Sequence, residues 1–196
     1  FREMEEDTFK TVITTNFKES LYPYLFTFDN KNLYCVSNLG RDKNALVEYD
    51  PRLAQEIKVI YENPDVDVSN VEFSRKRKVL TAAIYEKEKV EKHFLDTVTK
   101  TIYEKIEQQL PGYLVQISSE NKQEDKMLVA CYSDRYPGGT YFYDVQTGKL
   151  EKLADSRPWL KEENMAEMKP VQYASRDGLT IHGYLTLPKG VEARNL

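Results

Sequence analysis

Short hydrophobic runs separated by polar turns recur along the chain at a nearly constant spacing. Ala45–Asp50, Val90–Asp96 and Gly139–Asp144 each end in an aromatic residue or a leucine followed by aspartate, and the closing aspartates are 46 and 48 residues apart. Self-similarity with a period of 40 to 50 residues is typical of repeat folds that stack one supersecondary unit on the next.

Each closing run follows two other strand-like runs that flank a polar turn. The runs before the turn are Tyr24–Phe28, Val71–Phe73 and Tyr113–Ile117, and those after it are Leu33–Val36, Val79–Ala82 and Met127–Ala130. A fourth run follows two of the aspartates, at Glu56–Tyr61 and Lys149–Leu153. Four short strands per period predict the blade of a β-propeller. An immunoglobulin-like sandwich is the alternative, but its strands alternate more strictly with polar residues.

The middle repeat contains a predicted helix after Asp96. Val98, Ile102, Ile106 and Leu110 recur every four residues and form one apolar stripe. Thr97 is the predicted N-cap, and Pro111-Gly112 ends the helix. We expect this helix to replace the outermost strand of its blade or to lie beside it.

These patterns predict a mainly β chain made of about three blades and a remnant, a short linker and a terminal β-hairpin. Residues 8–20 are predicted to be the last strand or strands of the remnant blade. Between Lys161 and Lys169 a short helix is predicted, and Asp177-Gly178 suits a tight hairpin turn. The expected boundaries are a propeller segment over 1–153, with blades at about 21–63, 64–112 and 113–153, a linker over 154–170 and a further domain over 171–196.

Composition excludes several classes of function. The net charge is −4, so no global field attracts nucleic acid or an anionic membrane. No apolar run approaches the roughly 18 residues that a membrane span needs. The first residue is Phe rather than Met, so we expect the chain to be cut from a longer protein, and the sequence does not indicate a compartment. Cys35 and Cys131 lie in apolar runs and are predicted to be buried free thiols.

Candidate chemistry is sparse. No Gly-x-Ser-x-Gly nucleophile elbow occurs, and neither His93 nor His182 has a catalytic context. The spacing of Cys and His predicts no metal site, and no cofactor motif is present. Asn63, Asp65 and Asp67 are interpreted as turn residues rather than calcium ligands. The basic run Arg75–Lys78 is interpreted as a solvated hairpin turn.

The segment Asp177–Pro188 resembles the opening of the α/β-hydrolase domain in the prolyl oligopeptidase family of serine peptidases, where such a segment follows a β-propeller. The helix after the Phe94-Leu95-Asp96 turn strengthens the resemblance. It implies that residues 171–196 begin the catalytic domain and that the catalytic Ser, Asp and His lie beyond Leu196. The branch that the chain resembles most is acylaminoacyl-peptidase-like or dipeptidyl-peptidase-like.

In this family the propeller caps the active site, and polar side chains from its loops help to hold a peptide. The resemblance therefore makes Arg135, in the Asp134–Gly139 loop, a candidate substrate-binding residue. The alternative for Arg135 is a structural turn residue that forms a salt bridge to a nearby acid.

The function expected for this chain is a non-catalytic propeller segment of a peptidase that hydrolyses short peptides. It would gate access to the active site, with peptide as the partner and with neither nucleic acid nor membrane involved. The alternative is a propeller interaction or scaffold module. A sugar-active enzyme would need clustered carboxylates that we do not find. Exposed blade edges predict self-association when the chain is expressed alone.

Overall fold

The computed structural model describes residues 1–190 of the chain. Its strands form antiparallel sheets joined by short turns. The chain divides into two compact units, the first spanning Phe1–Lys100 and the second beginning at Thr101.

The first blade is a four-stranded sheet in the first unit. Its strands pair in chain order, as the repeat pattern predicts, because each is joined to the next by a short turn that favours antiparallel neighbours. The strands are β1 (Leu21–Phe26), β2 (Leu33–Ser37), β3 (Ala45–Asp50) and β4 (Gln55–Tyr61). In the central pair Cys35 lies opposite Val47 and Val36 opposite Leu46, so the two faces of the sheet carry different apolar sets.

The second blade has three strands and then the predicted helix. The strands are β5 (Val68–Ser74), β6 (Val79–Glu86) and β7 (Val90–Phe94), and the helix is α1 (Thr97–Gln109). No fourth strand joins this sheet in the described part of the chain, and the helix follows the third strand along the sequence. The predicted N-cap is wrong by one residue: the Asp96 carboxylate, rather than Thr97, accepts the backbone N–H of Thr99 at 2.8 Å.

The core of the first unit lies where the first two blades face each other. Val36 and Leu46 of the first blade pack with Val68, Val71 and Ala83 of the second, all of them buried. The opposite face of the first blade is also buried around Cys35, Val47 and Tyr49. Apolar side chains on both faces explain the nearly continuous hydrophobic runs of the inner strands.

The second unit contains the third blade and the terminal hairpin. The third blade again pairs four strands in chain order, β8 (Leu114–Glu120), β9 (Lys126–Tyr132), β10 (Gly139–Asp144) and β11 (Lys149–Asp155). The hairpin consists of β12 (Met168–Ala174) and β13 (Thr180–Thr186). Gly178 in its turn has a φ of +85°, which is why Asp-Gly occurs there.

Two predicted elements differ in the structure. Residues 8–20 form no strand, because a strand needs a partner and this segment instead bonds to a side chain: Asn38 donates to the Lys18 carbonyl at 2.8 Å and accepts from the Ser20 N–H at 2.7 Å. The predicted helix at Lys161–Lys169 is only one turn of 3-10 helix at Glu162–Asn164. Strand β12 begins at Met168 and contains Pro170, which can lie on this strand because the sheet has only two strands and both are edges.

The predicted free thiols are confirmed, since Cys35 and Cys131 are both unpaired and buried. Burial raises the pKa of the Cys35 thiol to about 12. Within residues 1–190 no helix is both long and apolar enough to cross a membrane.

Candidate functional site

The loop between β9 and β10 carries Arg135, and the sequence builds it as a tight turn. The Ser133 hydroxyl accepts the backbone N–H groups of Arg135 at 3.2 Å and Tyr136 at 3.0 Å, which fixes the start of the loop. Gly138 then adopts a φ of +122°, a conformation that disfavours residues with a Cβ. Three of the four residues between these points, Asp134 to Tyr136, carry side chains with hydrogen-bonding groups.

Arg135 points to an acid in the segment between β11 and β12. One guanidinium nitrogen lies 3.6 Å from Glu162 Oε1, and both side chains are partly exposed. The other carboxylate oxygen of Glu162 accepts the Tyr113 hydroxyl at 2.9 Å. This hydrogen bond, together with burial, raises the pKa of the Tyr113 phenol. Glu162 thus has one partner on each oxygen, and the salt bridge that the sequence predicted as the alternative for Arg135 is present.

Tyr136, the next residue of the loop, turns toward the end of β11. Its hydroxyl hydrogen-bonds to Asp155, which also pairs with Lys152 at 2.5 Å. Lys152 and Tyr136 together lower the pKa of the Asp155 carboxyl. Burial and this carboxylate raise the pKa of the Tyr136 phenol. The Tyr136 ring meets Tyr113 edge-on at a centroid distance of 5.2 Å, and the Tyr136 hydroxyl donates its hydrogen bond to Asp155.

Asp134, the first of the three, contacts the terminal hairpin. Its Oδ2 accepts the backbone N–H of Met168, the first residue of β12, at 2.7 Å. The three neighbouring residues thus reach three places: the hairpin, the linker and the last strand of the blade. Sequence reasoning did not identify Asp134, Glu162 or Asp155, since no local pattern indicates pairing over such separations.

The closing aspartates of the repeat are structural in all three blades. Asp50 accepts the backbone N–H groups of Arg52 and Leu53, and Asp144 those of Gln146 and Thr147. Each also pairs with a cation, Arg52 or Lys126.

Asp96 behaves in the same way in the second blade. Its carboxylate accepts the Thr99 N–H at 2.8 Å and forms a salt bridge with Arg77 at 2.5 Å. Arg77 belongs to the basic run that was interpreted as a solvated turn. The run does form the β5–β6 turn, but Arg77 is tied to the helix start.

The remaining candidates have structural surroundings. His93 stacks on Tyr61 with ring centroids 3.9 Å apart, and His182 lies beside Gln172 across the hairpin at 3.2 Å. Asn63 forms the predicted turn, accepting the N–H of Asp65 at 3.0 Å. Among residues 1–190 no cluster of three or more His, Cys, Asp or Glu is arranged to hold a metal ion. Of the residues that the sequence analysis considered, Arg135 has a partly exposed guanidinium group, and it pairs with Glu162.

Two curated peptidases resemble the chain in sequence. No family model matches the chain. The chain is 28% identical over 195 residues to dipeptidyl aminopeptidase BIII of Pseudoxanthomonas mexicana, covering all of this chain and 27% of the relative. It is 24% identical to dipeptidyl peptidase family member 6 of Caenorhabditis elegans, covering 95% of this chain and 26% of that protein.

Solved structures share the fold at lower identity. Prolyl oligopeptidase B from Galerina marginata matches with a TM-score of 0.54 and 16% identity, covering 93% of this chain and 26% of that one. A prolyl endopeptidase structure matches with a TM-score of 0.55 and 19% identity, covering 89% and 25%. The chain thus spans about a quarter of the length of the proteins it matches. These likenesses confirm the partial propeller.

Proposed function

We propose, from the premise that this chain belongs to the prolyl oligopeptidase family, that its blades gate substrate access to a serine peptidase site beyond residue 196. In this proposal residues 1–153 are propeller, 154–170 are the linker and 171–196 begin the α/β-hydrolase domain. The observation that carries it is the order of elements, three blades followed by the hairpin, along a chain that aligns over its full length with a dipeptidyl aminopeptidase. The chemistry proposed for the whole protein is acyl transfer to a serine.

The gate is proposed to lie along the first strands of the blades, which border the central channel of a propeller. In the first unit these strands are β1 and β5, and Tyr24 of β1 donates its hydroxyl to the Ser69 carbonyl of β5 at 2.7 Å. This hydrogen bond ties two neighbouring blades at their inner edges. Separating them would widen the route to the active site.

The gate is tested by comparing Tyr24→Phe with Tyr22→Phe in the full-length protein. Tyr22 lies on the same strand and its ring is exposed. We expect Tyr24→Phe to raise kcat/KM for peptides longer than about ten residues by severalfold and to leave dipeptide substrates unchanged, while Tyr22→Phe changes neither. Equal kcat/KM values for both variants at every peptide length would contradict gating at this contact.

Arg135 is proposed to contact the substrate peptide. Its side chain is 46% exposed and its ion pair to Glu162 is long at 3.6 Å, so guanidinium donors remain for a carbonyl or carboxylate. Arg135→Ala should raise KM with little change in kcat. Glu162→Gln is the informative control, because it removes the ion pair but keeps Arg135. If both variants raise KM equally, Arg135 acts through the salt bridge alone and the proposal is wrong.

The proposed substrates are short peptides. The curated relatives are named dipeptidyl peptidases, so we expect the full-length protein to release dipeptides from dipeptidyl p-nitroanilides. The acylaminoacyl branch, which the sequence also resembles, predicts instead faster hydrolysis of acetyl-amino acid p-nitroanilides. The ratio of kcat/KM for the two substrate types decides between them.

An interaction module is the second candidate. The outermost strand β4 is a sheet edge on which Ile57 and Val59 are substantially exposed, and exposed apolar edges favour strand pairing with another chain. We therefore also propose that the isolated chain self-associates. Light scattering over a concentration series should show more than one species, and Ile57→Lys should reduce the larger one. A monomer at every concentration would contradict this.

A further inference from the structure

The terminal hairpin buries little of its own surface. Along β12 only Val171 is partly buried, and along β13 only Ile181 and Gly183 are, while every other residue of the two strands is exposed. An isolated two-stranded hairpin is at best marginally stable in water. Apolar packing therefore does not explain what holds these two strands in a defined place.

Polar contacts from the loop between β9 and β10, and from Tyr113 just before β8, reach the hairpin and the segment that leads into it. Asp134 holds the first backbone N–H of β12, at Met168, at 2.7 Å. Arg135 and Tyr113 hold Glu162 in the segment that leads into that strand. A carboxylate that accepts a backbone N–H forms one of the stronger classes of hydrogen bond, so Asp134 anchors the first residue of β12 directly.

The loop is itself fixed to the third blade, so it can set the position of the hairpin relative to that blade. Tyr136 bonds to Asp155 at the end of β11, and the Ser156 N–H donates to the Gly138 carbonyl at 2.9 Å. A Cβ on Gly139 would collide with the Tyr136 hydroxyl, so the ring and the backbone are closely fitted. The loop is thus attached to β11 on one side and to β12 on the other.

We propose that the Ser133–Gly138 loop is a clasp that holds the β12–β13 hairpin against the third blade through Asp134. Any effect of this clasp on catalysis rests on the proposed function, because the hairpin begins a catalytic domain only if the whole protein is a peptidase. Asp134 is then a positioning residue, which fixes where the following domain begins relative to the propeller. Arg135 is held in the same turn, so the position of the proposed substrate contact and that of the hairpin are set by one element.

The clasp is tested by amide hydrogen exchange on the full-length protein with Asp134→Ala, Asp134→Asn and Asp42→Ala. The asparagine retains a carbonyl oxygen that can accept the Met168 N–H. Asp42→Ala is the control, since its carboxylate is exposed and pairs with its sequence neighbour Lys43. We expect Asp134→Ala to accelerate exchange across β12 and β13 by about tenfold, Asp134→Asn to restore most of the protection, and Asp42→Ala to have no effect.

The result that would overturn the clasp is unchanged exchange in β12 and β13 of Asp134→Ala. Faster exchange limited to the Met168 amide would also overturn it, because that shows a lost hydrogen bond without loosening of the hairpin. Hydrogen exchange does not depend on enzymatic activity. If the protein has no peptidase activity, the proposed function is refuted, but the exchange experiment still tests the clasp.

Activity supplies the second measurement. A loosened hairpin misplaces the catalytic domain without removing a substrate contact, so Asp134→Ala should lower kcat by at least about threefold with KM within twofold. Asp134→Asn should recover kcat. Unchanged kcat in a variant whose hairpin exchanges faster would overturn the coupling to catalysis.

Discussion

The blades and the terminal hairpin are both built from short antiparallel strands, but they are stabilised differently. In the first blade the side chains of Leu46 and Tyr49 are fully buried. In the hairpin Leu185 and Tyr173 remain 46% and 61% exposed. The blade is held by apolar packing on both faces, whereas the hairpin depends on its own ladder and on polar attachments such as that of Asp134.

The contrast shows which part of the chain specifies its own fold. Stacked blades bury a continuous core, so their strands need no additional partner on those faces. The hairpin exposes apolar side chains such as Tyr173 and Leu185 on a sheet of two strands. Matched substitutions in the two regions test this difference.

The largest expected difference is between Leu46→Ala and Leu185→Ala. Removing a fully buried leucine costs about 2–5 kcal/mol in the free energy of unfolding, because lost burial and a cavity add. Leu185→Ala should lower the free energy of unfolding by less than about 1 kcal/mol, because Leu185 is exposed. Urea denaturation followed by circular dichroism measures both. Equal costs would show that the hairpin is packed as tightly as the blades.

The next largest difference in the free energy of unfolding is expected between Asp96→Ala and Asp177→Ala. Asp96 caps α1 and pairs with Arg77, so its loss should cost about 1–2 kcal/mol. Asp177 only orders the hairpin turn, through Ser175 and the Leu179 N–H, and should have the smaller effect. Urea unfolding of both variants checks the order, and the reverse order would contradict the role of Asp96 as a cap.

Tyr49→Phe should stabilise the first unit by about 1 kcal/mol. Among the described residues the Tyr49 hydroxyl is buried without a hydrogen-bond partner, as is that of Tyr143 at the corresponding position of the third blade. An unsatisfied buried hydroxyl is costly, so its removal is favourable. The exposed Tyr173 is the control, and Tyr173→Phe should be neutral. A loss of stability in Tyr49→Phe would reveal a bound water that satisfies the hydroxyl.

The smallest expected effect is the change in the free energy of unfolding with pH that Asp96 causes. Burial opposes ionisation of Asp96, but the hydrogen bonds from Arg77 and Thr99 outweigh it and lower the pKa below its ordinary 3.8. The unfolded chain therefore protonates first, and the stabilisation from Asp96 is complete above about pH 4 and lost as the pH falls through the folded pKa. The stability difference between the wild type and Asp96→Asn should shrink over that acid range. A constant difference would contradict the lowered pKa.

Much of the blade architecture was predictable because it is local. Strand β3 begins and ends where the Ala45–Asp50 run does, and the helix follows Asp96 as predicted. Its predicted stripe is right for Ile106 and Leu110, which are buried, but wrong for Val98, which is exposed, while Tyr103 is buried instead. Where the secondary structure of a segment depended on a partner distant in sequence, the prediction from sequence was wrong. Residues 8–20 have strand-like composition but no partner strand, and Met168–Pro170 lies in β12 because it pairs with Tyr184–Thr186.

The candidate site shows the same division. The sequence identified the Arg135 loop and, as the alternative, an acid paired with it. It did not identify that acid as Glu162, nor the bond from Asp134 to Met168, because a side-chain contact between separate elements leaves no local periodicity to detect. The burial of the two cysteines followed directly from their apolar surroundings.

The central claim is that this chain is the non-catalytic propeller part of a serine peptidase. Labelling the full-length protein with a fluorophosphonate probe, which reacts with activated serines, tests it most directly when the labelled peptide is then mapped. The account predicts a single labelled serine, within a Gly-x-Ser-x-Gly sequence outside residues 1–196, and loss of dipeptide release on labelling. An unlabelled protein, or a label within residues 1–196, would contradict it and favour the interaction module.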